Sequence, residues 1–256
     1  MAVDPNTIAL VQGMVYVGGG CAIGFGAIGS GIGEGYTARE ATFGMARQPK
    51  MSGEVMRTML VGQAISESPG IFALIVAFLL ILTIGDITAA EATPAFAMAM
   101  LGCGLAVGLS AIGAGTGTGL ASGQACRAIA RNPDCAGKVT ITMLLGQALA
   151  TSPAVFGFVA ALLLILFRGE YGVSGVEYMP YAAALIAGGL CMGAGAIGPG
   201  LGIGFVGSQA CKGVGANPRH NSAINKTLLI GAAVAESTSI YAFVVFILLV
   251  LLVGKQ

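Results

Sequence analysis

Charge is scarce in this chain. Charged residues make up 9% of its 256 residues and hydrophobic ones 56%, a balance that excludes a water-soluble domain of this length. Runs of like charge are missing too: there is no acidic tail, no basic patch for nucleic acid and no low-complexity linker. The six cysteines (21, 103, 126, 135, 191 and 211) form no C-x-x-C pair, so they read as small packing residues rather than metal or redox ligands. No basic stretch precedes the first apolar run and no small-residue cleavage site follows, so no cleaved signal peptide is expected.

What the chain has instead is apolar length. Six runs, about 8–46, 53–84, 92–130, 137–168, 178–215 and 223–253, are long enough to cross a bilayer. The same pair of segments returns at spacings of 84 and then 85 residues. The chain therefore divides into hairpin repeats 1–87, 88–172 and 173–256. Ten of the twelve Lys and Arg flank three turns, while Arg168 and Lys255 lie at the other ends with Asp4, Asp86, Glu91, Glu170 and Glu177. The positive-inside rule puts the turns in the cytoplasm and both termini outside. The expected fold is an all-α membrane protein, six transmembrane helices arranged as three tandem helical hairpins.

The first helix of each hairpin carries a glycine ladder: Gly29, Gly31, Gly33 and Gly35; Gly113, Gly115, Gly117 and Gly119; Gly198, Gly200, Gly202 and Gly204. Glycines four apart share a face, and those two apart lie about 200° apart. Two faces are thus stripped of side chains. One small-residue stripe suits a dimer; two suit a helix squeezed between neighbours on both sides, as in a closed ring. The second helix is bulkier, as in Ile71–Leu82, and suits lipid, so an inner circle of glycine-rich helices and an outer circle of bulky ones are expected. Gly24-x-Gly26-x-x-Gly29 and Gly193-x-Gly195-x-x-Gly198 match a dinucleotide-binding fingerprint in letters only. Each lies inside an apolar helical run with no preceding strand.

Two of the three second helices carry a lone carboxylate deep in apolar sequence: Glu67 and Glu236, with Thr151 at the matching place in the middle repeat. An ionisable group at such depth costs several kcal/mol and reads as functional. No Lys or Arg lies at that depth to make a buried ion pair. Counting back across the first turn brings Glu34 level with Glu67, roughly 22 Å from the turn; its equivalents are Thr118 and Ile203. Glu34 either shares the site or faces a ring lumen. Two carboxylates close together in lipid share a proton or hold a cation between them. Ser68, Ser152 and Ser237 follow the key position in each repeat, and Tyr241, five residues after Glu236 on a neighbouring part of the same face, is expected to be able to donate to its carboxylate. Pro69 and Pro153 free the carbonyls of Ile65 and Leu149, which either ligate a cation or mark a plain kink.

These features resemble the proteolipid c subunit of rotary ATP synthases, fused in triplicate. The resemblance rests on the glycine ladder, the turns Ala46-Arg-Gln-Pro49 and Ala130-Arg-Asn-Pro133, and the segments Glu67-Ser68 and Glu236-Ser-Thr-Ser-Ile-Tyr241. It implies a closed rotor ring that carries H+ or Na+ on Glu67 and Glu236, coupled to ATP synthesis or hydrolysis, with no cofactor. It implies Glu34 as the helix-one partner, with Na+ at Glu34 and Glu67. Ser68, Ser152, Ser237, Tyr241 and the Ile65 carbonyl are the further ligands it brings. Arg47, Gln48, Pro49, Arg131, Asn132, Pro133, Asn217 and Pro218 become contacts for a central stalk. The third turn, Gly215-Ala-Asn-Pro-Arg219, lacks the Arg in its usual place. Implied partners are further copies of the chain or single-hairpin subunits, a stator subunit and membrane lipid, in a bacterial plasma membrane. Two other readings are a component of a vacuolar-type pump and a passive cation channel or carrier.

Overall fold

The computed structural model describes residues 5–83, 92–167 and 178–252. Among these, every long element is a helix: α1 (Pro5–Arg47), α2 (Ser52–Thr83), α3 (Pro94–Arg131), α4 (Ala136–Leu166), α5 (Tyr178–Ala216) and α6 (Asn221–Leu252). All six are long and apolar enough to cross a membrane. The outer-end residues Asp4, Asp86, Glu91, Arg168, Glu170, Glu177 and Lys255 lie outside the described residues.

Each hairpin turns in the same way, for a local reason. Proline at the first position of a one-turn 3-10 helix (Pro49–Met51, Pro133–Cys135, Pro218–His220) fixes φ and lacks the N–H that the preceding helix would need. It also pushes the residue before it out of the helical region. Gln48, Asn132 and Asn217 accordingly share φ near −137° and ψ between 75° and 86° (−136°/75°, −137°/86° and −139°/79°). At the other membrane face, Thr93 caps α3 by accepting from the Phe96 N–H at 3.2 Å.

The hairpins stand side by side in two layers. The glycine-rich α1, α3 and α5 pack in one row; α2, α4 and α6 pack behind them. Each of α2 and α4 lies against its own inner helix and the next one, α2 on α1 and α3, α4 on α3 and α5. The middle inner helix shows why two glycine stripes are needed. A Cβ on Gly115 would come within 2.7 Å of the Gly29 and Ser30 backbone, and one on Gly119 would land on Gly33. On the opposite side, Gly113 and Gly117 meet the backbones of Ile197 and Gly200. Both stripes of α3 are thus occupied by backbone, as the ladder predicts. The Gly24 and Gly193 fingerprints sit inside α1 and α5, as expected.

The three repeats differ in what covers them. α3 has neighbours on both sides and is mostly buried. On α1, Gly31 and Gly35 face open space, and on α5 so does Gly198. The six cysteines are free thiols, in line with a packing role.

Candidate ion-binding site

Glu34 on α1 and Glu67 on α2 line one groove with Ser30, Gly31, Gly70 and Leu74, of about 290 Å³. Helix-turn arithmetic therefore pairs them correctly. The groove opens on the side of hairpin 1 that faces away from hairpin 2. Its walls are pinned by two hydrogen bonds: Gln63 Nε2 donates to the Glu34 carbonyl at 3.2 Å, and the Gly70 N–H donates to Ser30 Oγ at 3.2 Å. A Cβ on Gly70 would lie 2.8 Å from that hydroxyl oxygen, so glycine lets the two helices close here. Among the described residues the ion pairs are Arg39–Glu40, Arg127–Glu40 and Arg57–Glu54. Glu34, Glu67 and Glu236 therefore have no basic partner among them.

The equivalent position between hairpins 1 and 2 is built from neutral groups. Thr118 bonds back to the Ala114 and Gly115 carbonyls at 3.0 and 2.8 Å, and Thr151 to the Gln147 carbonyl at 2.9 Å. Gln147, fully buried, donates from Nε2 to the Gly62 carbonyl of hairpin 1 at 2.9 Å and to the Thr118 carbonyl at 3.1 Å. Its Oε1 is buried without a partner. Nearby, Thr37 and Ser122 share a hydrogen bond of 2.6 Å across the same seam. Neither Gln63 nor Gln147 stands out in the sequence, although the Gly-Gln dipeptide four to five residues before Glu67 and Thr151 is a signal that could have found them.

Hairpin 3 differs again. Ile203 is buried in an apolar cluster with Ala150 and Ala232, flanked by Leu149 and Ala235. The inner-helix position that matches Glu34 is thus apolar in the hairpin that carries Glu236. The serines after the key positions bond within their own helices, Ser152 to the Leu149 carbonyl and Ser237 to the Val234 carbonyl, both at 2.7 Å, and Ser68 to the Ala64 carbonyl at 3.4 Å. In α4 the carbonyl freed by Pro153 is therefore taken up by the adjacent hydroxyl. Both prolines sit in unbroken helices.

Aromatic contacts report which face of each outer helix meets the next hairpin. Phe72 stacks on Phe158 with centroids 5.2 Å apart, and Phe156 meets Phe243 at 5.6 Å. Tyr241 occupies the place of Phe72 and Phe156 in the third repeat; it is 65% exposed. Of the turn residues, Arg47, Gln48, Pro49, Arg131 and Asn217 are exposed, and Asn132, Pro133 and Pro218 are partly buried. The Asn132 amide donates to the Gly215 carbonyl at 3.0 Å, tying the second turn to the third hairpin.

Three tandem membrane hairpins, with a glycine-packed inner layer and lone carboxylates on the outer helices, define an ion-carrying proteolipid. The model of the ATP synthase C-subunit family matches three times, at residues 17–80, 101–164 and 186–249. The chain belongs to that family. The K subunit of an A-type ATP synthase from Methanocaldococcus jannaschii is 30% identical over 239 residues, covering 93% of this chain and 96% of that protein. The ATP synthase c subunit of Clostridium novyi is 41% identical over 83 residues, 30% of this chain and 99% of the relative. That of Thermotoga petrophila is 43% identical over 79 residues, 29% of this chain and 93% of the relative. Single-hairpin relatives thus fit on one third of the chain, and the triplicate fusion is real. The protein is a rotor proteolipid of the rotary ATP synthases, integral to the membrane.

Proposed function

We propose that copies of this chain close into a rotor ring in which Glu67 and Glu236 each carry one ion per turn. The observation that carries this reading is the pair of intramembrane carboxylates without a cationic partner, on outer helices of a hairpin row whose ends are left open. The row supplies its own rule for closure. The Gly29/Gly33 stripe of one inner helix meets the Gly31/Gly35-type stripe of the next, and α3 to α5 repeats it. The stripe Gly198/Gly202 of α5 is then the partner for Gly31/Gly35 of α1 in the next copy. Such a head-to-tail contact closes into a ring when its rotation closes.

The same rule assigns ligands to seams. Ile65, Ser68 and Phe72 lie on one side of α2, and Phe72 touches hairpin 2. Each seam therefore takes a carbonyl, a serine and an aromatic ring from one hairpin and the key position from the next. Between hairpins 1 and 2 these are Ile65, Ser68 and Phe72 against Thr151 and Thr118, with no carboxylate. Between hairpins 2 and 3, Leu149, Ser152 and Phe156 face Glu236. Between copies, Val234, Ser237 and Tyr241 face Glu67 and Glu34 of the next chain. Residues five apart on a helix are about 140° apart, so Tyr241 turns away from Glu236 and toward the neighbour's site. That site has the oxygens to coordinate Na+; the Glu236 site, opposite Ile203, suits a proton.

In use, a stator subunit offers two offset half-channels and an arginine. An ion enters and neutralises a carboxylate, the neutral site passes through lipid, and the ion leaves after rotation. The cytoplasmic turns, including Arg47, Gln48, Pro49, Arg131, Asn132, Pro133, Asn217 and Pro218, grip the central stalk. The hairpin units run 1–87, 88–172 and 173–256. Relatives of both the c-subunit and the A-type K-subunit kinds leave synthase and pump directions as two uses of one rotor, and family membership argues against a self-contained channel. The test is carbodiimide labelling of the purified ring near pH 6, with and without sodium, mapped by mass spectrometry. Labelling that sodium blocks at Glu67 marks a sodium site, and labelling indifferent to sodium marks a proton site. A ring in which neither Glu67 nor Glu236 labels refutes the rotor reading.

A further inference from the structure

The two seams inside the chain repeat position for position. In the first, Gly44 meets Ala130 and Gly62 meets Ser122; in the second, Ala128 meets Gly215 and Gly146 meets Gly207. Each residue of the second seam is the repeat equivalent of its counterpart in the first. Moving one repeat further therefore tells which residues of a second copy would face hairpin 3.

One place in this register holds a large side chain. Tyr36 of hairpin 1 lies against Gly123 of hairpin 2: a Cβ on that glycine would come within 2.6 Å of the phenol ring and 3.4 Å of Glu40 Cγ. Tyr36 is half-buried. The matching pair in the second seam is Leu120 and Ser208. In hairpin 3 the large side chain is Phe205, with Gln209 in the place of Glu40. Phe205 is 60% exposed, in a mostly apolar groove of about 680 Å³ between α5 and α6. At the other end of the row, the equivalent of Gly123 is Arg39 on α1. Its guanidinium holds the buried Glu40 at 3.1 Å and lies 5.7 Å from the centroid of Phe43. The Arg39 side chain is still 61% exposed, so donors and one face remain for another partner.

We infer that Arg39 of each copy docks on Phe205 and Gln209 of the copy before it. This rests on the closed row proposed above and adds the residues that choose the partner. A guanidinium plane stacks on an aromatic face and donates to an amide oxygen, and those are the two groups that hairpin 3 presents. Glu40 of the same chain holds the guanidinium in place. The occupant of the α5–α6 groove is thus the turn-side end of α1 from a second copy. The same register sets Ala46 of that copy against Gly213, and its carbonyl against Asn217, just as the Gly215 carbonyl accepts from Asn132 at 3.0 Å. Neither internal seam has a cation at this place, since Gly123 and Ser208 stand there. The contact therefore marks junctions between copies, and it favours a second copy of this chain over any hairpin that lacks the arginine.

The experiment is disulfide cross-linking of the double variant Arg39→Cys with Phe205→Cys, in membranes under mild oxidation. Within one chain the two positions are on α1 and α5, with α3 between them, so a bond between them joins copies only. The expected result is a ladder of linked chains on denaturing gels that collapses on reduction. Neither single substitution should give it, which controls for the six native thiols. An assembled ring of this chain, shown by its native mass, that yields no ladder overturns the contact. A preparation without rings instead fails the reading on which it rests. A second measurement is the temperature at which the ring dissociates into single chains. Arg39→Gln and Phe205→Leu should each lower it, and the double substitution should lower it no further than the larger single effect, because either one removes the contact. Phe205→Tyr, which keeps the aromatic face, should leave it near native. Should the cysteine pair not assemble, this cycle decides, and fully additive losses overturn the proposal.

Discussion

The carboxylate-free seam can be made into an ion site by one substitution, Thr151→Glu. Thr151 spends its hydroxyl on the Gln147 carbonyl of its own helix and is only partly buried, so a longer side chain can swing toward the groove. The seam assignment proposed above would set it against the Ile65 carbonyl and Ser68 of hairpin 1, and Gln147, one turn away on its own helix, has an unpartnered buried Oε1. The cost of a carboxyl at this depth is a few kcal/mol, which the oxygens of the seam offset in part. The functional consequence is fixed by counting. Two ion-bearing hairpins of three become three of three, whatever the number of chains in a homogeneous ring. Ions moved per turn rise to three halves of the native figure. The ATP energy per turn is unchanged, so the largest gradient free energy per ion that the pump sustains falls to two thirds. The assay is ATP-driven pumping into vesicles, read at the limiting gradient, with carbodiimide labelling to show that the new carboxyl is in place. A labelled variant that reaches the native limiting gradient refutes the counting argument and, with it, the role of the empty hairpin.

Other substitutions test other parts of the structure. Glu236→Gln places two empty hairpins in succession and should reduce ion-driven ATP synthesis at least about tenfold, with Glu67 still labelled; native rates would show that Glu236 is not a carrier. Gly117→Leu drives a side chain into the Gly200 backbone, an overpacking that costs about 1–3 kcal/mol, and should destabilise the single chain in thermal unfolding. Gly31→Leu, whose Cβ meets nothing within 4 Å in one chain, should leave the single chain intact and block ring assembly on native gels; a normal ring would sink the stripe-to-stripe closure. Gln147→Leu removes two hydrogen bonds worth about 1 kcal/mol each but also an unpaired buried oxygen costing about 1–3 kcal/mol. Its denaturation midpoint should therefore stay near wild type, whereas Gln147→Ala leaves a cavity and should lower it.

The hairpins and the inner row were legible in the sequence because their signals are periodic. Glycines at two-residue spacing can serve only a helix with backbone on both sides, and α3 meets backbone along both stripes. Three X-Pro turns gave the reversals. The pairing of Glu34 with Glu67 followed from rise per residue alone. What stayed hidden depends on which hairpin an outer face meets. Tyr241 is near Glu236 along the chain but stands where Phe72 and Phe156 touch the following hairpin. In the sequence, Glu40 is one charge beside Arg39 and nothing more; its burial comes from α3, and the second arginine, Arg127, is far away along the chain. Gln147 is similar, since its partners on Gly62 and Thr118 belong to two other helices.

The fusion itself has a physical consequence. In a ring assembled from separate hairpins, a hairpin without a carboxylate would fall beside another one at random, and a run of two would leave the stator facing no carrier over a double step. Covalent linkage in the order Glu67, Thr151, Glu236 forbids that run: every empty position is flanked by carriers, within the chain and across the junction between copies. The neutral seam is then free to be built for cohesion rather than transport. Its buried Thr37–Ser122 bond and the Gln147 bridge fasten hairpins 1 and 2, while in the ring proposed above the open Glu34–Glu67 groove would be completed by the next copy.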